Sequence, residues 1–435
     1  MTTQTSNEIG SEVIPKLFWR LLPFLLLLYV VAYLDRINVG FAALQMQKQL
    51  GFSDAVYGLG AGIFFAGYFF FQLPSNLILY RVGPRRWIAL LMIAWGIVSA
   101  STMHVATARG FYMLRFMLGA TEAGFFPGVI LYMKSWFPAG VRARAAATFL
   151  TAGPISGIVG GPISGLLLGM DKLHGLAGWQ WLFLIEGLPA ILLGAIVFFV
   201  LDDKPETARW LTGEQKHWLL RTLENEEAEA QGGQKIGVFS AFAMSHVWLL
   251  AFVYFGLNTT SYGISLWLPK VFKQASNFGI LALGFLTTIP YLLGVVTMIL
   301  NGFHSDKTGE RFWHTAIPAF AAAVSLAAAG HVTGFALLVA CFAVAYAGTQ
   351  CMLGPFWAIS SRSLAGAAAP AGIALINSIG NLGSGLGPYI IGFFTSRTGS
   401  FHLALLLVGT VLALGGIVVL YVRRLTANSS RASEN

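Results

Sequence analysis

Charge is what this sequence has least of: Asp, Glu, Lys and Arg make up 10% of its 435 residues, against ~25% in soluble domains. With 56% hydrophobic residues and a mean hydropathy of +0.70, that deficit excludes a soluble globular domain. Cysteine is nearly absent. Cys341 and Cys351 lie ten residues apart on one predicted helix, roughly 15 Å at the helical rise, beyond disulfide reach and matching no metal-ligand spacing. Both read as packing residues. There is no His-Glu-x-x-His, no pair of metal-ligand carboxylates and no Ser/His pair in adjacent apolar runs, and the eight histidines fall mostly at predicted helix ends. An enzyme embedded in the membrane is therefore disfavoured. No glycine-rich run ends in Gly-Lys-Ser/Thr, so a phosphate cradle is not expected. The first seventeen residues are polar, and the apolar run after them is too long for a signal peptide and lacks a small-residue cleavage site, so no removed leader is expected.

What is present is long apolar runs. Twelve are predicted, at 18–44, 54–80, 86–106, 111–133, 142–168, 179–201, 244–269, 278–303, 313–330, 333–359, 370–396 and 400–422, each about long enough to cross ~30 Å of hydrocarbon as a helix. The fold class expected is an all-α integral membrane protein with twelve transmembrane helices in two six-helix halves. Its parts are an N-terminal tail 1–17, a first half 18–201, a hydrophilic central loop 202–243, a second half 244–422 and a C-terminal tail 423–435. Lys16, Arg20, Arg81, Arg85, Arg86, Lys134, Arg142, Arg144, Lys307, Arg311, Arg362, Arg423 and Arg424 fall on one side, with the basic residues of the central loop. By the positive-inside rule that side is cytoplasmic, so both termini are expected in the cytoplasm of a cell-membrane protein. The net charge of +9 is thus an orientation signal and not evidence for nucleic acid; the partners expected are the lipid bilayer and a small solute, with the chain a monomer. The central loop reads as a solvated linker, with a short amphipathic helix around Trp210-Leu211 and Trp218-Leu219-Leu220 as the alternative.

Against this background the run Tyr33-Leu34-Asp35-Arg36-Ile37-Asn38 stands out, because it puts a carboxylate and a guanidinium inside an apolar span. Ionisable groups at such depth are costly and usually mark a pathway. Arg115 and Glu122, seven residues apart in another run, project from one helix face, with the small Gly119 between them. The two pairs read as one polar centre, with a purely structural ion-pair lock as the competing reading. Glu186, in Ile185-Glu186-Gly187-Leu188-Pro189, reads as a structural cap near a helix end. Glycines crowd 153–165 and 380–387, which assigns packing and hinge roles to the fifth and eleventh spans.

The halves repeat. Asn76-Leu-Ile-Leu-Tyr80-Arg81-Val-Gly83-Pro-Arg85 after the second run matches Gly302-Phe-His-Ser-Asp306-Lys307-Thr-Gly309-Glu-Arg311 after the eighth, as parallel repeats of a rocking transporter would. This glycine-turn-basic motif, doubled around a long central loop, resembles the major facilitator superfamily. Tyr33-Leu-Asp35-Arg36-Ile-Asn38, Arg115-Phe-Met-Leu-Gly-Ala-Thr-Glu122-Ala-Gly, Ser135-Trp-Phe-Pro138 with Arg142-Ala-Arg144-Ala, and Gly178-Trp-Gln-Trp181 are similar to the anion:cation symporter family within it, over almost the whole chain. Tyr80 departs from the acidic residue usual in the first turn motif, so a charge lock from that turn is in doubt; Asp306 keeps it in the second.

The resemblance implies a secondary active transporter that imports a small organic carboxylate with protons by alternating access, with no cofactor and the proton as coupling ion. It implies Arg36, Arg115, Tyr33, Tyr68, Trp357 and Asn377 as substrate-binding residues and Asp35 and Glu122 as proton-coupling residues. Each carboxylate is expected to pair with the arginine nearest in sequence, Asp35 with Arg36 and Glu122 with Arg115. Pro154, where sugar-acid members have glutamine, speaks against a long polyhydroxylated substrate. Pro-Ser-Asn at 74–76 and Gly-Pro-Arg-Arg-Trp at 83–87 are similar to the tartrate branch, so a tartrate-like hydroxy-dicarboxylate is the first expectation. An aromatic carboxylate of the phthalate or hydroxyphenylacetate type is the second, and an exchanger, an exporter or a non-transporting sensor on the same fold remains open.

Overall fold

Three prolines decide where the apolar runs break. A proline ring clashes with the carbonyl four residues earlier and cannot donate to it. Pro127, Pro154 and Pro290 place that clash at Ala123, Leu150 and Leu286, and the helices are interrupted there. In the computed structural model, whose backbone is described for residues 3–231, 244–363 and 369–434 and side chains for 8–227, 244–362 and 372–426, the fourth span is α4 (Ala108–Glu122) plus α5 (Phe125–Lys134). The fifth is α6 (Ala139–Leu150) plus α7 (Ala152–Leu168). The other spans of the first half are α1 (Thr3–Leu50), α2 (Asp54–Val82), α3 (Pro84–Ser101) and α8 (Gly178–Val200).

The second half holds α10 (Ser245–Gln274), α11 (Ile280–Leu286) with α12 (Thr288–Thr308), α13 (Phe312–Ala329), α14 (Phe335–Ser363), α15 (Ala369–Thr398) and α16 (His402–Glu434). Eleven spans among the described residues are long and apolar enough to cross a membrane. The twelfth predicted one, 370–396, is the 30-residue α15, whose glycines, serines and asparagines dilute its hydropathy. There is no strand among the described residues.

Both repeated turns put their glycine at positive φ, Gly83 at 88° and Gly309 at 68°, values open to glycine and costly for residues with a Cβ, although ψ differs, 152° against 0°. Asp306 pairs with Arg311 inside the second turn at 2.6 Å, whereas Arg85 of the first reaches Asp203 at 3.1 Å. These turns define the basic end of the bundle.

The central segment is more ordered than a solvated linker. Gly213–Gln231 form α9, with Leu211 and Leu219 buried in the core of the first half. Trp210 stacks on Trp136 at 5.5 Å. Glu226 accepts from the Ala139 amide at 2.7 Å and pairs with Arg142 at 3.0 Å, and Lys16 on the extension of α1 donates to Gln215. α9 therefore rests on the first half rather than hanging between the halves; residues 232–243 lie outside the described residues.

At the far end the halves meet. A Cβ added at Gly62 on α2 would stand 2.4 Å from the Gly385 carbonyl oxygen on α15, a separation that only glycine permits. Tyr57 Oη donates to the Leu266 carbonyl at 2.7 Å, and Lys270 Nζ binds Gln47 Oε1 at 2.7 Å and the Asp54 carboxylate.

Candidate functional site

Between the halves lies a cavity of about 480 Å³, within the range of small-molecule sites. Its floor is at mid-depth, where Tyr33 on α1 and Tyr262 on α10 share a hydrogen bond of 3.0 Å between hydroxyls. Its walls run toward the basic end along Ala143, Ala146 and Ala147 of α6 and Leu353, Gly354 and Trp357 of α14. Beside the break at Thr151, Gly153 and Pro154 at the start of α7 line this space.

Of the predicted substrate residues, Tyr33, Arg36, Tyr68, Trp357 and Asn377 line the cavity. Arg36 is 7% exposed and its guanidinium carbon lies 5.4 and 5.3 Å from the ring centres of Tyr33 and Tyr68, a cation–π setting that holds the group at the wall. Asn258, Ser261, Gln350 and Asn381 face the same space, as do Tyr29, Tyr254 and Tyr346. Sequence reasoning missed these seven. The polar run Asn258-Thr259-Thr260-Ser261-Tyr262 inside an apolar span was the available signal, by the same argument that singled out Asp35.

The pairing of charges corrects the sequence expectation. Arg36 Nε bonds Glu122 Oε2 at 2.7 Å, across from α1 to the last residue of α4, and does not pair with Asp35. Neighbours in sequence on a helix diverge by ~100°, so Asp35 points away from the cavity. There it accepts from Ser99 Oγ at 2.6 Å. Glu122 sits at a helix C-terminus, where the helix dipole opposes a carboxylate, so the guanidinium is what offsets its burial.

Arg115 is not on the cavity wall, contrary to its predicted role. It is 1% exposed behind Phe64, whose ring centre is 5.0 Å from the Arg115 guanidinium carbon and 5.8 Å from that of Arg36. Its Nε donates to the Gly60 carbonyl at 3.4 Å, and neither Nη has a hydrogen-bond partner among the described residues. Gly119 beside it opens no space for a ligand: a Cβ there would lie 1.8 Å from the Phe64 carbonyl oxygen, so it admits the backbone of α2. Glu186, read as an end cap, lies inside α8 and is 4% exposed. Cys341 and Cys351 are buried and free, as read.

The arrangement is one guanidinium on the wall of a ring-lined cavity, paired with a buried carboxylate. Comparisons with known proteins bear on the family and the fold. Residues 25–388 match the Major Facilitator Superfamily. A protein of Agrobacterium vitis named "Putative tartrate transporter" is 47% identical over 96% of this chain and 93% of its own. The "Quinolone resistance transporter" of Acinetobacter baumannii is 39% identical over 95% of each. The fold is similar to that of a bacterial homologue of the human lysosomal transporter Spinster in an inward-facing, occupied conformation, with TM-score 0.76 and 17% identity over 93% of this chain and 96% of that one. This chain belongs to the major facilitator superfamily and is similar to its organic-anion transporters.

Proposed function

We propose that the protein imports a small organic carboxylate together with protons, as an anion:cation symporter working by alternating access. The observation that carries this reading is the Arg36–Glu122 pair at the cavity wall. While Glu122 is ionised it occupies the guanidinium. Protonation of Glu122 frees Arg36, and the substrate's carboxylate takes the place that Glu122 leaves, with the fork of donors suited to bidentate binding. Proton and anion then favour each other's binding, as linkage requires. Release of the proton lets Glu122 reclaim Arg36 and expel the anion. Asp35 is the second coupling carboxylate, acting from the back of α1.

The basic end is read as the cytoplasmic face by its lysines and arginines, so the cavity faces the cytoplasm and Lys270, Asp54 and Tyr57 close the outer side. A tartrate-like hydroxy-dicarboxylate is the first substrate, supported by the relative's name and by Asn258, Ser261, Gln350, Asn377 and Asn381 as partners for hydroxyl groups. An aromatic carboxylate is the second reading, favoured by Tyr29, Tyr68, Tyr254 and Trp357 on the walls.

The test is transport in proteoliposomes. An inward proton gradient is expected to concentrate labelled tartrate, with excess phthalate as competitor separating the two readings. Glu122→Gln is expected to keep exchange of internal for external substrate and to lose gradient-driven accumulation by at least ten-fold. Accumulation by that variant at the wild-type level would remove Glu122 from the coupling step.

A further inference from the structure

Helix α1 carries two polar faces: the substrate cavity takes one, and of the other the transport reading uses Asp35 alone. At ~100° per residue, Tyr29, Tyr33 and Arg36 share the face toward the cavity, while Asp35, Asn38, Gln45 and Gln49 share roughly the opposite face. That second face packs on α7 and α8. Glu186 of α8 meets it there. Ser164 Oγ of α7 donates to Glu186 Oε1 at 2.9 Å, and the Asn38 side chain stands between Glu186 and Asp35, its Nδ2 3.5 Å from Asp35 Oδ1. Glu186 Oε2 and Asp35 Oδ2 are both without a hydrogen-bond partner among the described residues.

The charged and titratable surroundings of Glu186 are sparse. The elements packed against α8 present Asp35 from α1, Ser99 from α3 and Ser164 from α7. No Lys, Arg or His among the described residues forms an ion pair with Glu186. A carboxylate in hydrocarbon without a cation is far costlier than a carboxylic acid. Toward the far end the stripe continues: Gln45 bridges the Leu168 carbonyl and the Trp179 amide at 3.0 Å each, and Gln49 accepts from Trp179 Nε1 at 2.7 Å. Glu186 is eight residues from Gly178 at the start of α8, roughly 12 Å at the helical rise. Asp35 is fifteen residues from Leu50 at the end of α1, roughly 22 Å by the same rise. Glu186 thus lies between the far end and Asp35.

We propose that Glu186 is a proton-binding site on a path behind α1, separate from the substrate cavity, that delivers protons from the far end to Asp35. Glu186 Oε2 loses a proton and Asp35 Oδ2 gains one, one O–H bond broken for one formed, and Asn38, between the two, donates to whichever is ionised. Ser164 fixes the other oxygen of Glu186. Protons and substrate then reach the coupling centre from opposite faces of one helix. This rests on the proton-coupled reading for its use, but its first test needs only protons.

Infrared spectra of the full-length protein in liposomes, recorded while the external pH is stepped, are expected to show a buried carboxylic-acid C=O band that titrates. The band is expected to be lost in Glu186→Gln, retained in Asp35→Asn, and shifted in its titration by Ser164→Ala. A spectrum unchanged by Glu186→Gln, or a band that does not respond to pH, overturns the proposal whether or not tartrate is carried. In transport assays, Glu186→Gln is expected to reduce proton-driven tartrate accumulation at least ten-fold more than it reduces tartrate exchange. Equal loss of both marks a structural residue and overturns the path. Absence of any proton-driven accumulation in the wild type counts against the transport reading alone, since the infrared result stands apart from it.

Discussion

A guanidinium in hydrocarbon persists only where its surroundings replace water, and Arg36 has a carboxylate on Nε and two tyrosine rings at its flanks. Its geometry, not its charge alone, matters for a planar carboxylate. Arg36→Lys is therefore expected to weaken substrate binding at least ten-fold by calorimetry, because a point charge does not reproduce the fork. Arg115 is placed to act differently. Behind Phe64, with both Nη groups unpartnered among the described residues, it lies near Glu122 and off the cavity wall. Arg115→Lys is expected to leave affinity closer to wild type than Arg36→Lys does. Equal losses in the two variants would return Arg115 to the substrate-binding set.

The broken helices turn one hydrophobic pattern into a working shape. Pro127 ends α4 at Glu122, whose carboxylate meets Arg36 of α1, and Pro154 interrupts the fifth span beside the cavity, which Ala143, Ala146 and Ala147 of its first part line. The close approach of α2 and α15 sets which end is shut. A side chain larger than hydrogen at Gly62 meets the Gly385 carbonyl, so Gly62→Leu is expected to hold the far end apart. Spin labels at Ser53 and Asn277, both exposed there, are expected to report a longer distance in that variant than in the wild type. Identical distance distributions would show that this contact does not control closure.

Across the molecule, the contacts that join the halves gather at the far end, while the cavity separates them at the basic end. α9 is bound to the first half through Trp210, Glu226 and Gln215, so the central segment is expected to travel with that half when the two rock. Labels at the exposed Arg81 and Lys307, one on each repeated turn, are expected to give two distance populations whose ratio responds to substrate and pH. A single distance insensitive to both would contradict alternating access between rigid halves.

The membrane class, the helical architecture and the twofold repeat were legible in the chain because each is a one-dimensional property. Hydrophobic run length, basic residues at the ends and a glycine turn occurring twice need no knowledge of what packs on what. The same reasoning found Asp35, Arg36, Arg115 and Glu122, since a charge inside an apolar run is visible wherever it points. Their partners were not legible. Sequence adjacency suggested Asp35 with Arg36, but consecutive residues on a helix face different ways, and the carboxylate that meets Arg36 arrives from another span. Whether a buried charge faces the cavity, another charge or the back of its own helix depends on crossings between helices distant in sequence. Those crossings separated Arg36 from Arg115, moved Glu186 from a helix end to the interior, and put Asn258 and Asn381 on the cavity wall.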